Sequence, residues 1–311
     1  MGKNDITDKE IASIGPVLQR LVWSESLTRE KIQEYGVNVI PSDFYSNTPS
    51  IEEIKNSYEY KEKAPYLNED LFNDEFLTEV LRDLSEYSSE FNPDTDGDEN
   101  DCRQFFWRNS QFSYSDAMSY YCFLRKYKPA RVVEIGSGFS TLIAMEATQR
   151  NGFGEITCIE PFPRPFLERN ARVKLLRKKA QELPLEFLNE SLEGGDFLFI
   201  DSTHTVKTGS DCLHIYLRLL PRIKRKIYVH VHDISLPFGM PVEWLLERQI
   251  FWTEQYLLLA FLIDNPKIKV LYASAYHHAL NREALDTFMN NKWASGGGSF
   301  WFQYDGGKET R

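Results

Sequence analysis

Apolar positions along the chain change their period as the sequence is read. Residues 8–22 and 66–88 place apolar side chains three and four apart, as in LNEDLFNDEFLTEVLRDL, and this spacing predicts amphipathic helices. Between them, GVNVIPSDFYSNTPSIEEI predicts an extended loop that runs into a helix. Ser50 is the expected N-cap there, with Glu53 three residues on to close a capping box. The run NPDTDGDEND at 92–101 is polar and rich in turn formers, and predicts a flexible linker. Its acidic spacing lacks the glutamate that a calcium loop needs at its twelfth position.

After residue 115 the texture becomes an alternation of helices and short apolar runs. Strands are expected at 131–135, 155–160, 195–201, 226–233, 268–273 and 298–304. Helices are expected at about 115–127, 140–150, 165–180, 208–220 and 242–264. Such alternation predicts an α/β fold: a parallel, doubly wound, Rossmann-like sheet with helices on both faces. The change of texture predicts two parts. Residues 1–100 read as a helical and loop extension that caps the site, and 101–311 as the domain that carries it.

Composition narrows the function. Acidic residues outnumber basic ones by 46 to 36, a net charge of −10, whereas nucleic-acid phosphates need clustered Lys and Arg; no nucleic acid is expected as partner. The one basic run, RIKRKIY at 222–228, reads as the solvated end of a helix. No stretch approaches the roughly 20 apolar residues that span a bilayer, so no membrane association is expected. MGKNDITDKE has no apolar signal core, and Ile6 breaks the myristoylation pattern. Cys102, Cys122, Cys158 and Cys212 are scattered without C-x-x-C spacing, as reduced thiols would be. The expectation is a cytoplasmic protein acting on a small molecule, with a homo-oligomer left open.

The candidate chemistry begins at VVEIGSGFS, 132–140, a glycine turn between a strand and a helix. Gly136 and Gly138 permit close approach of a ligand to the backbone, with Ser137 between them and Ser140 opening the helix. A dinucleotide loop would carry a third glycine at 141, where this chain has Thr141. Glu134 precedes the turn, where a carboxylate could meet a cationic group above it. Glu160 ends the second strand, where a carboxylate accepts both ribose hydroxyls. An acid at the loop and a second acid at strand two suit S-adenosylmethionine, which is cationic and has no phosphate.

The same residues carry a resemblance. VEIGSGFST (133–141), preceded by FFWRNSQFS (105–113) and followed by FIDSTHTVKTGSD (199–211) and VHVHDISLP (229–237), resembles the class I S-adenosylmethionine-dependent methyltransferases. The likeness is closest to a bacterial small-molecule group, and extends to GGSFWF near the C-terminus and to YSNTPSIEEI near residues 45–54. It implies methyl transfer to a hydroxyl or amine of a sugar or another biosynthetic intermediate. It also implies cofactor contacts from Glu134, Gly136, Ser137, Gly138, Ser140, Glu160 and Asp201.

Polar residues crowd the expected strand ends: Asp201 and His204 after one, then His230, His232 and Asp233 on the next. Parallel strands are usually apolar throughout, so these need a reason. His230, the deeper residue, reads as structural. His232 or Asp233 could act as a general base, with Asp201 beside them. Alternatively Asp201, His232 and Asp233 hold a divalent metal ion. In similar sugar and macrolide methyltransferases carboxylates at these strand ends hold magnesium; a histidine in the set leaves manganese, iron or zinc open. Trp107, Asn109, Gln111 and His204 are candidates for the substrate pocket, and the resemblance adds Tyr45. Trp244, Trp252, Glu254, Gln255 and Tyr256 read as a core stripe on a long helix, and His277 and His278 as surface residues. Two competing functions are an NAD-dependent oxidoreductase and a metal-dependent enzyme of non-methyl chemistry on the same fold.

Overall fold

The computed structural model describes residues 6–100 and 102–307. It divides into two compact units, Met1–Ser57 and Tyr58–Arg311. In the first unit the helix Asp8–Val22 matches its apolar period and is closed by a Thr7–Glu10 capping box. The helix Ile51–Asn56 carries the expected Ser50–Glu53 box. Each box satisfies amide groups that a helix start leaves orphaned, so both helices begin where a local signal places them.

The second unit is built on a seven-stranded sheet in the order β3-β2-β1-β4-β5-β7-β6. The strands are β1 Arg131–Ile135, β2 Glu155–Ile159, β3 Val173–Leu176, β4 Phe197–Ile200, β5 Ile227–Val231, β6 Ile268–Ala273 and β7 Phe300–Tyr304. β1 to β5 run parallel, while β7 lies antiparallel between β5 and β6. The sheet is therefore Rossmann-like but mixed. Alternate strand residues feed two apolar clusters, one holding Phe197, Phe199 and Trp301, the other Leu198, Ile200, Val229 and Phe300. Both faces are thus covered, as a parallel sheet requires. Strand order reverses at β1, between β2 and β4. Carboxyl ends of strands at such a reversal splay apart and leave a crevice.

Four expectations change. The structure's division at residue 57 differs from the expected one at 100, because the helix Asp74–Ser88 buries Leu77, Val80, Leu81 and Leu84 within the second unit. Residues 92–100 are not a free linker: Asp94 and Thr95 accept backbone hydrogen bonds from Trp107 and Arg108, and Glu99 accepts from Ser110. The expected helix at 165–180 is a single turn, Pro165–Glu168, followed by β3. Val173–Leu176 instead satisfies the open edge of β2, a demand that local pattern does not reveal. The expected long helix at 242–264 is two helices, Val242–Glu247 and Glu254–Leu262. At the break the Thr253 and Glu254 amides donate to the His204 carbonyl, 2.8 and 3.1 Å away. A contact across the fold has replaced the intrahelical one.

Candidate active site

The glycine turn follows β1 directly. Gly136 adopts φ +85°, and a Cβ there would lie 2.0 Å from the carbonyl oxygen of Asp201. Only glycine lets the ends of β1 and β4 approach this closely. Gly138 faces open space. Beneath the turn Glu134 is fully buried, accepting hydrogen bonds from the Tyr120 hydroxyl at 2.8 Å and from the Thr141 hydroxyl. Burial pushes its carboxyl up to about 7. Glu134 therefore braces the turn from below rather than facing a cation above it. Thr141 stands where a dinucleotide loop has glycine, and ties the start of the helix Phe139–Asn151 to β1 through that same carboxylate.

Gly136, Ser137, Gly138, Ser140, Glu160 and Asp201 line one cavity of about 410 Å³. Glu160 accepts from the Phe162 amide at 2.8 Å and the Ser137 amide at 3.3 Å, so its position is set by both flanks of the crevice. A second cavity, about 960 Å³, opens beside the first. The two share Gln111, His232, Asp233 and Trp252.

The shared wall is electrically dense. His232 sets Nε2 at 3.3 Å from Asp116, and Nδ1 at 3.4 Å from Asp201 and 3.7 Å from Asp233. His204 sets Nδ1 at 2.7 Å from Glu254, and Nε2 at 3.2 Å from Asp201 and 3.6 Å from Asp233. Burial alone would discharge both imidazoles, but the surrounding carboxylates outweigh it. His204 is pushed up to about 10 by its bonds to Asp201 and Glu254. His232 is raised well above its ordinary value by Asp233, Asp201 and Asp116. Enclosure would raise the Asp201 carboxyl, yet the two imidazoles hold it well below the usual carboxylate range. Asp233 goes the other way, raised by burial despite the same two neighbours. His204 and Asp233 also adopt left-handed backbone, φ +56° and +58°. Such strain costs about 1–3 kcal/mol per residue and persists where surrounding structure imposes it.

This charge pattern fixes a pH dependence. The folded pKa of His204, about 10, lies above its ordinary 6.5, so its stabilising contribution is complete below pH 6.5 and lost as pH rises toward 10. Urea midpoints measured across that window are expected to fall for the native protein and to fall less for His204→Gln. Parallel curves for the two would exclude the pairing.

Asp116 and Glu254 were not legible as site residues. Asp116, on the helix Tyr114–Tyr127, is buried and accepts from the Ser274 hydroxyl and from the amides of Gly298 and Ser299. It thereby ties His232 to the segment entering β7. The sequence pattern places Glu254 in a core stripe; it is buried, yet it is an acid at the head of the apolar run EQYLLLAFL, which is the available signal. Trp252, assigned to the same stripe, packs 4.3 Å from the His204 ring and lines both cavities. Of the residues expected to form the substrate pocket, Gln111 and Asn109 line the larger cavity and His204 the smaller. Trp107 is instead a core residue stacked on Trp293, and Tyr45 is an exposed residue of the first unit. His230 is structural, hydrogen-bonded to Ser299 at 2.6 Å and stacked on Trp301. His278 is exposed as expected, but His277 is fully buried against Tyr272 and Tyr276. Ligand atoms of Asp201, His204 and Asp233 lie within 4.8 Å of one another, so the trio suited to a metal contains His204 where the sequence suggests His232. No helix among the described residues is long and apolar enough to cross a membrane.

Known proteins share this arrangement of sequence. Residues 133–234 match the family described as methyltransferase domain. An uncharacterized protein of Archaeoglobus fulgidus is 34% identical over 171 residues, which are 52% of this chain and 76% of that protein. Among solved structures, an O-methyltransferase from Bacillus cereus in complex with S-adenosylhomocysteine is 14% identical, with TM-score 0.38, covering 75% of this chain and 91% of that one. A methyltransferase from Geobacter sulfurreducens is 14% identical, with TM-score 0.34, covering 73% and 88%. The matched segment runs from the strand under the glycine turn to the strand-end histidine and aspartate, and this part of the chain is similar to a methyltransferase domain.

Proposed function

We propose that this methyltransferase alkylates a hydroxyl or amine of a small molecule, a sugar or another biosynthetic intermediate, held in the larger cavity. The observation that carries this reading is the shared wall between the two cavities, Gln111, His232, Asp233 and Trp252. The residues of the smaller cavity fit S-adenosylmethionine. Glycine at 136 lets the ends of β1 and β4 close together beside the cavity, Gly138 opens onto free space, and Glu160 stands at the end of β2 to receive ribose hydroxyls. Bound there, the cofactor supplies a methyl group already activated on a sulfonium. The protein's main task is then to hold the acceptor atom in line at near-contact distance.

The acceptor proton falls to Asp233. Neighbouring carboxylates raise both His232 and His204 above their ordinary values, which suits them as donors that orient carboxylates. Asp233 is raised above its ordinary value, and a carboxylate shifted toward neutrality is a better proton acceptor. A second reading rests on the Asp201, His204 and Asp233 cluster, which would hold a divalent ion with Glu254 orienting the histidine from behind. Such an ion would lower the pKa of an acceptor hydroxyl.

Calorimetric titration with S-adenosylmethionine, S-adenosylhomocysteine and NAD tests the donor. Saturable binding of the first two without NAD is expected, and NAD binding alone would overturn the reading. Methyl transfer by Asp233→Ala is expected to drop by about 10²–10⁴-fold, the usual worth of a positioned base. Full turnover in that variant would remove Asp233 from the chemistry, and metal analysis of the purified protein decides the second reading.

A further inference from the structure

We infer that the acceptor is an amphiphilic molecule with a flat apolar body and an anionic group at the end remote from the methylated atom. The inference rests on the methyl-transfer reading of the same site. The larger cavity, about 960 Å³, exceeds what one sugar ring needs and lies at the upper end for small-molecule pockets. Its wall is graded. At the end shared with the smaller cavity stand the carboxylate and imidazole of Asp233 and His232.

From there aromatic surface leads outward. The Trp252 ring packs 4.3 Å from His204, and Trp244 meets Trp252 edge to face at 5.3 Å. Phe238 and Ile250 extend the apolar wall. The series ends at Arg248, whose guanidinium lies 5.7 Å from the Trp244 ring centre. Arg248 lines the larger cavity and not the smaller, so it stands away from the site of transfer.

Arg248 forms no ion pair among the described residues, in a chain with 46 acidic and 36 basic side chains. A guanidinium laid on an indole face keeps its edge N–H groups free, and that edge matches a carboxylate, sulfonate or phosphate in two parallel hydrogen bonds. The flat indole walls favour a planar apolar body, and the carboxylates at the inner end disfavour an anion there. Orientation follows from charge: the anion goes out to Arg248, and the hydroxyl or amine goes in to Asp233.

A matched pair of probes tests this, 6-hydroxynaphthalene-2-sulfonate and its neutral 6-hydroxynaphthalene-2-sulfonamide, titrated calorimetrically into protein saturated with S-adenosylhomocysteine. The sulfonate is expected to bind at least about 10-fold more tightly, in keeping with a charge-assisted bidentate contact. Arg248→Gln is expected to erase that preference while leaving the sulfonamide and S-adenosylhomocysteine affinities unchanged. Equal affinities in the native protein, a preference that survives in Arg248→Gln, or no binding of either probe to the cofactor-loaded protein overturns the inference. Failure of S-adenosylhomocysteine itself to bind overturns the methyl-transfer reading, and this inference with it.

Discussion

Gly136→Ala is expected to abolish measurable binding of S-adenosylhomocysteine, a loss of at least about 100-fold by calorimetry. Two independent causes act at this residue. Its φ of +85° is one that L side chains rarely adopt. The new Cβ would also sit 2.0 Å from the Asp201 carbonyl oxygen, a backbone atom. That peptide cannot yield freely, because the Asp201 amide donates to the Ile135 carbonyl at 2.8 Å and joins β4 to β1. Relief therefore separates the two strands at the point where the crevice forms, and carries Asp201 out of the shared network. Gly138→Ala is the internal control. Nothing lies within 4 Å of the added carbon, so it is expected to fold and to keep far more of its affinity than Gly136→Ala. Native affinity in Gly136→Ala would show that the turn does not shape the cofactor cavity.

Glu254→Ala is expected to be the most destabilising single change at the site. The carboxylate is 1% exposed and accepts from the Ser202 hydroxyl at 2.8 Å, the Tyr216 hydroxyl at 2.9 Å and His204 Nδ1 at 2.7 Å. Removing it leaves a buried imidazolium without its closest partner and two hydroxyls unsatisfied. Breaking a buried charged pair from one side costs about 3–5 kcal/mol. For a unit of this size that is a fall of roughly 6–20 °C in melting temperature. Glu254→Gln keeps the shape and one acceptor oxygen, and is expected to lose less. Methyl transfer should fall in both variants, because His204 no longer holds its orientation toward Asp201 and Asp233. A melting temperature for Glu254→Ala within 2 °C of native would refute the network as a structural support.

The two residues differ in how readable they were. Gly136 announced itself, since a glycine between an apolar strand and a helix has few other reasons to be there. Glu254 did not, because its role comes from His204, which lies 50 residues earlier in the chain, on the loop after β4. Asp116 has the same history: its partners Ser274, Gly298 and Ser299 arrive from the far end of the chain. The choice between His204 and His232 as the histidine of the metal-suited trio was also out of reach, since both stand beside strand-end aspartates. Ring placement separated them. His232 is turned to Asp116 on one side, whereas His204 is backed by Glu254 and directs Nε2 between Asp201 and Asp233.

Residue order alone makes legible the capped helices, β1 with its glycine turn, the acid ending β2, and a strand-end cluster of aspartates and histidines. Each of these rests on interactions within a few residues, or on a backbone conformation that only one residue type tolerates. Tertiary structure decided that Glu134 braces the turn from below, that 173–176 pairs as a strand, and that 248–253 breaks a helix against His204. It also decided that β7 enters antiparallel and that Asp116 and Glu254 stand behind the two imidazoles. In every such case the deciding partner comes from another part of the fold, because a buried donor, acceptor or charge must be satisfied by whatever the packed chain brings to it.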